Sequence, residues 1–277
     1  MIAGQLKRVV ELSQSYNVSN PEINFNIISF ISGKGGTGKT VLSLLTALNF
    51  SRQGKKVLLV DLDLGFPNIH LLLNQRAVKS LDNFCSKLSQ LSDEITILEE
   101  NLHIIYGLSE NPLTFNSSKY IIKNILSEIS KLSKNYDFVI LDLGAGIDEF
   151  KIWSLEKSFT KIIVSNNEPS SIMDAYAVIK IYENIKGPSE FFITINKCSN
   201  SEDGKESFLK LNKAVLSFLK SKIELLSIIS ENELIKSAVS NQNLIEVFDK
   251  YIIKNQEIQL TCQKLDKFVQ LHNINQS

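Results

Sequence analysis

The sequence predicts a doubly wound α/β fold, with a mostly parallel sheet covered by helices on both faces. Short β-rich runs alternate with longer helical patterns, the order that builds βαβ units. Each of those runs is nearly all apolar, as strands buried on both faces are. A glycine-rich loop joins the first run to the first helix. At 277 residues the chain can form one large domain or two small ones, and can bury most of its apolar surface without disulfides or metals.

In chain order, residues 1–13 place Ile2, Ala3, Leu6, Val9 and Val10 on one face of a short amphipathic helix. The polar stretch SQSYNVSNPE then reads as a turn-rich linker, so residues 1–22 form an N-terminal appendage. The main domain is expected over residues 23–250. Its strands are IISFIS (27–32), KVLLVDL (56–62), YDFVILDL (136–143), KIIVSN (161–166), EFFITINK (190–197) and IELLSII (223–229). Residues 40–54, 118–134, 170–185 and 204–221 carry apolar residues three and four apart, as amphipathic helices do. The stretch from about 64 to 116 shows no clear period. Residues 251–277 form a C-terminal appendage, in which 256–272 puts Ile258, Cys262, Leu265 and Val269 on one helical face.

Thirty basic residues balance thirty acidic ones. Without a net field to draw the molecule to a polyanion, nucleic acid is not an expected partner. Cys85, Cys198 and Cys262 are far apart and form no C-x-x-C, which argues against a disulfide framework, a zinc site or an iron-sulfur site. The start, MIAGQLKRVVEL, lacks the layout of a signal peptide, and no apolar run approaches membrane-spanning length. A cytoplasmic location is expected.

Gly33 to Thr40 fits G-x-x-x-x-G-K-[ST], after a predicted strand and at the start of a helix. Gly35, Gly36 and Gly38 let the backbone curl, so that successive N–H groups from Gly33 through Thr37 to Val41 can face a phosphate at a helix N-terminus. Lys39 is placed to reach the β- and γ-phosphates of ATP, and the Thr40 hydroxyl to take one position on Mg²⁺. A second lysine, Lys34, sits at the lip and is expected to point away from the loop's own phosphate, across the open face. Two ATP-loaded copies meeting there would bring phosphate charges within about 10 Å, a repulsion of several kcal/mol that a crossing lysine relieves. The plainer reading of Lys34 is a solvated surface lysine.

SGKGGTGKT resembles the deviant Walker A motif of the MinD/ParA class of P-loop ATPases, in which the first lysine acts across a homodimer. DLDLGFPN (61–68) is similar to the switch I of that class. The resemblance implies that Asp63 orients or deprotonates the attacking water and that Asp61 lies beside metal and phosphates. VILDLGAG puts Asp142 at the Walker B position, holding Mg²⁺ through water, with Gly144 and Gly146 giving switch II a backbone that senses the γ-phosphate. Asn196 in TINK resembles the base-reading asparagine, and SENELIKSAV the segment over adenine, with Ser230 in place of a frequent proline and Glu231 beside it.

Within the class, NNEPSSIMDAYAVIK (166–180) and AVSNQ (238–242) resemble the flagellar-number regulators of the FlhG type, also called FleN or YlxH. That likeness implies a slow, Mg-dependent, ATP-driven dimerisation switch, with an SRP-type GTPase (FlhF) or flagellar and transcription regulators as partners. MIAGQLK keeps Ala3, Leu6 and Lys7 of the GTPase-activating N-terminal motif, with Met1 and Ile2 in place of its Asp-Gln pair. The C-terminal helix is similar to helices that bind the inner face of the cell membrane reversibly, though Lys264 and Lys267 are offset by Glu257 and Asp266. Packing on its own core is the other reading. His70 stands where relatives commonly carry an acid and reads as a packing residue. A MinD- or ParA-type partitioning ATPase and a non-hydrolysing ATP-dependent adaptor are the alternatives.

Overall fold

The structure, a computed structural model, describes residues 24–64, 66–86, 89–107 and 119–274. The N-terminal helix and linker expected over residues 1–22 lie outside the described residues. Eight strands form one sheet: β1 (Asn24–Ser32), β2 (Val57–Leu62), β3 (Thr96–Glu99), β4 (Leu102–Ile105), β5 (Phe138–Ala145), β6 (Ser158–Asn166), β7 (Glu190–Cys198) and β8 (Lys222–Ser230). Their order is β3-β4-β2-β5-β1-β6-β7-β8. Every pair is parallel except the edge pair β3–β4.

Side chains alternate across the sheet, so one strand feeds two cores. Ile27, Ile31, Leu58, Val60, Val139 and Leu141 face one side. Against them pack α4 (Lys119–Leu132), α5 (Glu149–Lys157), α6 (Pro169–Lys186) and α7 (Ser201–Phe218). Ile28, Phe30, Leu59, Ile140 and Ile162 face the other side. There they meet α1 (Lys39–Arg52), α2 (Ile69–Leu72), α8 (Glu233–Ser240), α9 (Leu244–Lys254) and α10 (Glu257–Ile274). A short helix, α3 (Leu81–Cys85), and a 3₁₀ turn (Leu91–Glu94) fill the segment without a sequence period. Buried Glu94 ties that segment together by accepting from the Ser80 N–H at 3.0 Å and Asn83 Nδ2 at 2.9 Å.

The six expected strands and five expected helices are present with bounds shifted by a few residues. Strands β3 and β4 and helices α2, α3, α5, α8 and α9 are additional. Helix α9 spans the boundary expected after residue 250. The C-terminal helix takes the second of its two readings: Ile258, Cys262, Leu265 and Val269 are at most 3% exposed and pack on its own core, on the side of the sheet that carries Ile28 and Phe30. Lys264, expected to meet headgroups, donates to the Leu226 carbonyl on the edge strand at 2.8 Å. Among the described residues no helix is long and apolar enough to cross a membrane.

Candidate nucleotide site

The central strand β1 delivers the loop Gly33–Gly38 to the sheet's C-terminal edge, where α1 begins at Lys39. Two left-handed turns, Gly36 at φ 81° and Gly38 at φ 88°, make the reversal, a conformation that costs other residues steric strain. Gly33 is fixed for a different reason. A Cβ there would overlap the backbone of Asp174 in α6, so the loop's first residue lies directly on that helix.

Beneath the loop Lys39 Nζ contacts Asp142 Oδ1 at 2.8 Å and Thr40 Oγ1 at 3.2 Å. Lys39 is 6% exposed and Asp142 not at all. The second oxygen of Asp142 is buried and has no hydrogen-bond partner among the described residues. A carboxylate with an orphaned oxygen, sharing the Lys39 ammonium with a threonine hydroxyl, is what a water-bound Mg²⁺ would satisfy. The donor set therefore fits the metal, with Thr40 and Asp142 the residues that would hold it.

Asp61 lies beside Asp142 across the β2–β5 pair. Its carboxylate is occupied by backbone N–H groups. One oxygen accepts the Asp63 N–H at 3.1 Å, and the other accepts the N–H groups of Asn68 and Ile69 at 3.1 and 3.2 Å. Asp61 thus holds switch I closed on itself by its backbone. Burial, and then the neighbouring Asp142 charge, push Asp61 up to about 7. Asp63 is also raised, by burial first. Its carboxylate meets switch II: a Cβ on Gly144 would come within 2.5 Å of Asp63 Oδ1.

Two adjoining cavities share Gly36, Gly38 and Val41. One, of about 280 Å³, is lined by Thr37, Lys39, Thr40, Asp63 and Asn68. The other, of about 370 Å³, is largely apolar and is lined by Val41, Leu45, Asn196, Ile235, Val239 and Tyr251. A polar cradle opening into an apolar slot matches a polyphosphate joined to a flat base. Asn196 bridges them, donating from Nδ2 to the Thr37 carbonyl at 2.8 Å. Ser230 and Glu231 line the rim of the apolar slot. The Ser230 hydroxyl donates to Glu257 of α10 at 2.8 Å, and the Glu231 N–H donates to the Cys198 carbonyl at 2.9 Å.

Lys34 stands at the lip but does not cross an open face. It turns back to the start of α6, with Nζ 2.5 Å from Glu168 Oε2 and 3.2 Å from Ser170 Oγ. Lys34 holds Glu168 below the usual carboxylate range through that hydrogen bond and its charge. The sequence reading missed the role of Glu168, although it lies in the quoted NNEPSS stretch. It also missed Lys197, the residue after Asn196. His70 sets its ring edge-on to Tyr106 and lies outside both cavities.

The CobQ/CobB/MinD/ParA nucleotide binding domain model matches residues 28–245. The antiactivator FleN of Pseudomonas aeruginosa is 28% identical over 219 residues, 79% of this chain and 78% of that protein. The flagellum site-determining protein YlxH of Helicobacter pylori is 29% identical over 242 residues, 84% of this chain and 81% of that protein. The solved septum site-determining protein MinD of Pyrococcus horikoshii, complexed with Mg-ADP, superposes with a TM-score of 0.69 at 24% identity, covering 88% of this chain and 95% of that one. With that model matched over most of its length, this chain belongs to the CobQ/CobB/MinD/ParA nucleotide-binding family.

Proposed function

We propose that the chain is an Mg-ATP-dependent dimerisation switch that sets the number or placement of flagella. The observation that carries this reading is the pair of loop lysines, each neutralised by a carboxylate of the same chain. Lys39 is held by buried Asp142 and Lys34 by Glu168. Resemblance to FleN and YlxH over about four-fifths of the chain supports the flagellar assignment.

On binding ATP, Lys39 exchanges Asp142 for the β- and γ-phosphates, and Asp142 and Thr40 are the residues that would then hold Mg²⁺. Mg²⁺ supplies neutralisation of charge on the phosphates. Asp63 orients the attacking water, and its raised affinity for protons suits a group that must accept one. Gly144 leaves room for that carboxylate and carries its position to switch II. Lys34 leaves Glu168 and crosses to the phosphates of a second copy, so dimerisation requires the triphosphate and hydrolysis ends it. Asn196 and the slot at 230–239 receive the base. Cytoplasmic partners, an SRP-type GTPase or a transcription regulator among them, would read the dimer. The buried face of α10 gives membrane contact no support.

Light scattering tests the switch. The Asp63→Ala protein is expected to double in mass with Mg-ATP but not with Mg-ADP, and Lys34→Ala in the same background to remain monomeric. A dimer that forms equally well without Lys34 would refute the crossing lysine. Phosphate release separates an ATPase from an adaptor, since wild type should turn over and Asp63→Ala should not. Deleting the gene in its native bacterium should change flagella per cell.

A further inference from the structure

One side chain at the site is held at a backbone cost that no part of the proposed reaction uses. Lys197 follows the strand residue Asn196 with φ 56°, a left-handed conformation uncommon for a residue with a side chain. Strain of this kind persists only where its surroundings demand it. Here the left-handed turn bends the lysine back over the phosphate loop. Its Nζ donates to the Gly36 carbonyl at 2.8 Å, and its stem lies close to Gly38. Gly36 and Gly38 are the two left-handed residues of the loop. Lys197 therefore clamps the loop from the base side at its most strained turn, beside the Asn196 bond to Thr37. Two successive residues of β7 thus take two successive carbonyls of the 36–38 turn. A carbonyl held outward by an ammonium fixes its peptide plane, and with it turns the following N–H into the cradle.

We infer that Lys197 is a positioning residue for the polyphosphate: it holds the Gly36–Thr37 peptide in the anion-binding orientation before nucleotide arrives and joins the base slot to the phosphate cradle. This inference rests on the nucleotide-binding reading of the site. Lys197 is solvent-exposed at the slot rim, so removing its charge leaves no buried group unpaired, and the fold is expected to persist.

The test compares Lys197→Met, which keeps the stem and loses the donor, with Lys197→Arg, which restores a donor. Three probes are titrated by calorimetry: Mg-ADP, inorganic tripolyphosphate and adenosine. Lys197→Met is expected to weaken Mg-ADP and tripolyphosphate on the order of 10-fold, the loss of one hydrogen bond from a charged donor. Adenosine affinity and the nucleotide-free melting temperature should stay unchanged, and Lys197→Arg should recover most of the loss. Equal Mg-ADP affinity in wild type and Lys197→Met would overturn the inference. So would a loss carried equally by adenosine, which would make Lys197 a base platform, or a loss that tracks a lowered melting temperature. Failure of the wild type to bind Mg-ADP would instead refute the nucleotide-binding reading itself.

Discussion

Replacing Lys39 by methionine tests the electrostatics beneath the phosphate loop. The substitution keeps the length and apolar stem of the side chain and removes its cation. Asp142, with no exposed surface, then has its Lys39 contact gone, its other oxygen still orphaned and a second buried carboxylate, Asp61, opposite it on β2. Breaking a buried ion pair from one side costs about 3–5 kcal/mol, because the remaining charge is stranded away from water. A domain of this size loses roughly 2–4 °C of melting temperature per kcal/mol. The nucleotide-free protein should therefore melt roughly 6–12 °C lower at the bottom of that range. Circular dichroism melts in a chelator-containing buffer measure this directly. The double variant Lys39→Met/Asp142→Asn removes the stranded charge as well and should recover more than half of the loss, so that the two effects are strongly non-additive. If the single variant melts within about 2 °C of wild type, or the double variant is no better, Lys39 is not the counter-ion that keeps Asp142 buried in the free protein.

Glu168→Gln removes the anion that parks Lys34 while keeping a side chain of the same shape. ATP-dependent dimerisation should then reach its midpoint at a few-fold lower protein concentration by light scattering, and an unchanged or higher midpoint would show that Glu168 does not compete for Lys34. Gly33→Ala drives a methyl group into the Asp174 backbone and should lose at least about 10-fold in Mg-ADP affinity, whereas Gly35→Ala enters open space and should stay within about 2-fold; calorimetry on both distinguishes packing from a general glycine requirement. Leu265→Ala in α10 empties a fully buried position and should cost about 2–5 kcal/mol by urea unfolding, while half-exposed Leu271→Ala should stay within about 0.5 kcal/mol. Equal and small effects would mean that the C-terminal helix does not rest on the core in solution.

The sheet was legible because five of the six expected runs lie inside it and bury both faces, which makes each one largely apolar and unlike the helices between them, while the edge strand β8, only partly buried, still carries the apolar run IELLSII. Strands β3 and β4 escaped because they are four residues long and β3 carries Thr96, Ile97 and Glu99 on a half-exposed edge, where no apolar run is needed. Helix α5 shows little separation of faces: Phe150, Ile152, Ser154 and Leu155 are all buried, with Lys151 and Trp153 between them. At the site, the residues that act on one strand-to-helix turn, Gly33 to Thr40, were readable from spacing alone. What spacing cannot supply is the answer to which distant group meets them. Glu168 reaches Lys34 across 134 residues of chain, and Lys197 reaches Gly36 across 161.

Those long-range partners change what the loop means. A phosphate loop read from sequence is a set of donors awaiting an anion. In the folded chain its two lysines are already paired, one with a buried carboxylate and one with an exposed carboxylate. Nucleotide binding is then an exchange of anions, and its free energy is the difference between phosphate and carboxylate as partners. The two exchanges are unequal in kind. Asp142 is sealed from solvent and keeps one oxygen unpaired, so displacing Lys39 from it requires another cation at the same moment, a place Mg²⁺ would take under the proposed function. Glu168 is open to water and can be left by Lys34 with little penalty, since an exposed carboxylate is resolvated at once. Under the proposed switch the inner lysine would tie nucleotide binding to the metal, while the outer lysine would stay free to move when a second copy arrives. That division would let one loop both hold its own nucleotide and lend a cation to a neighbour's.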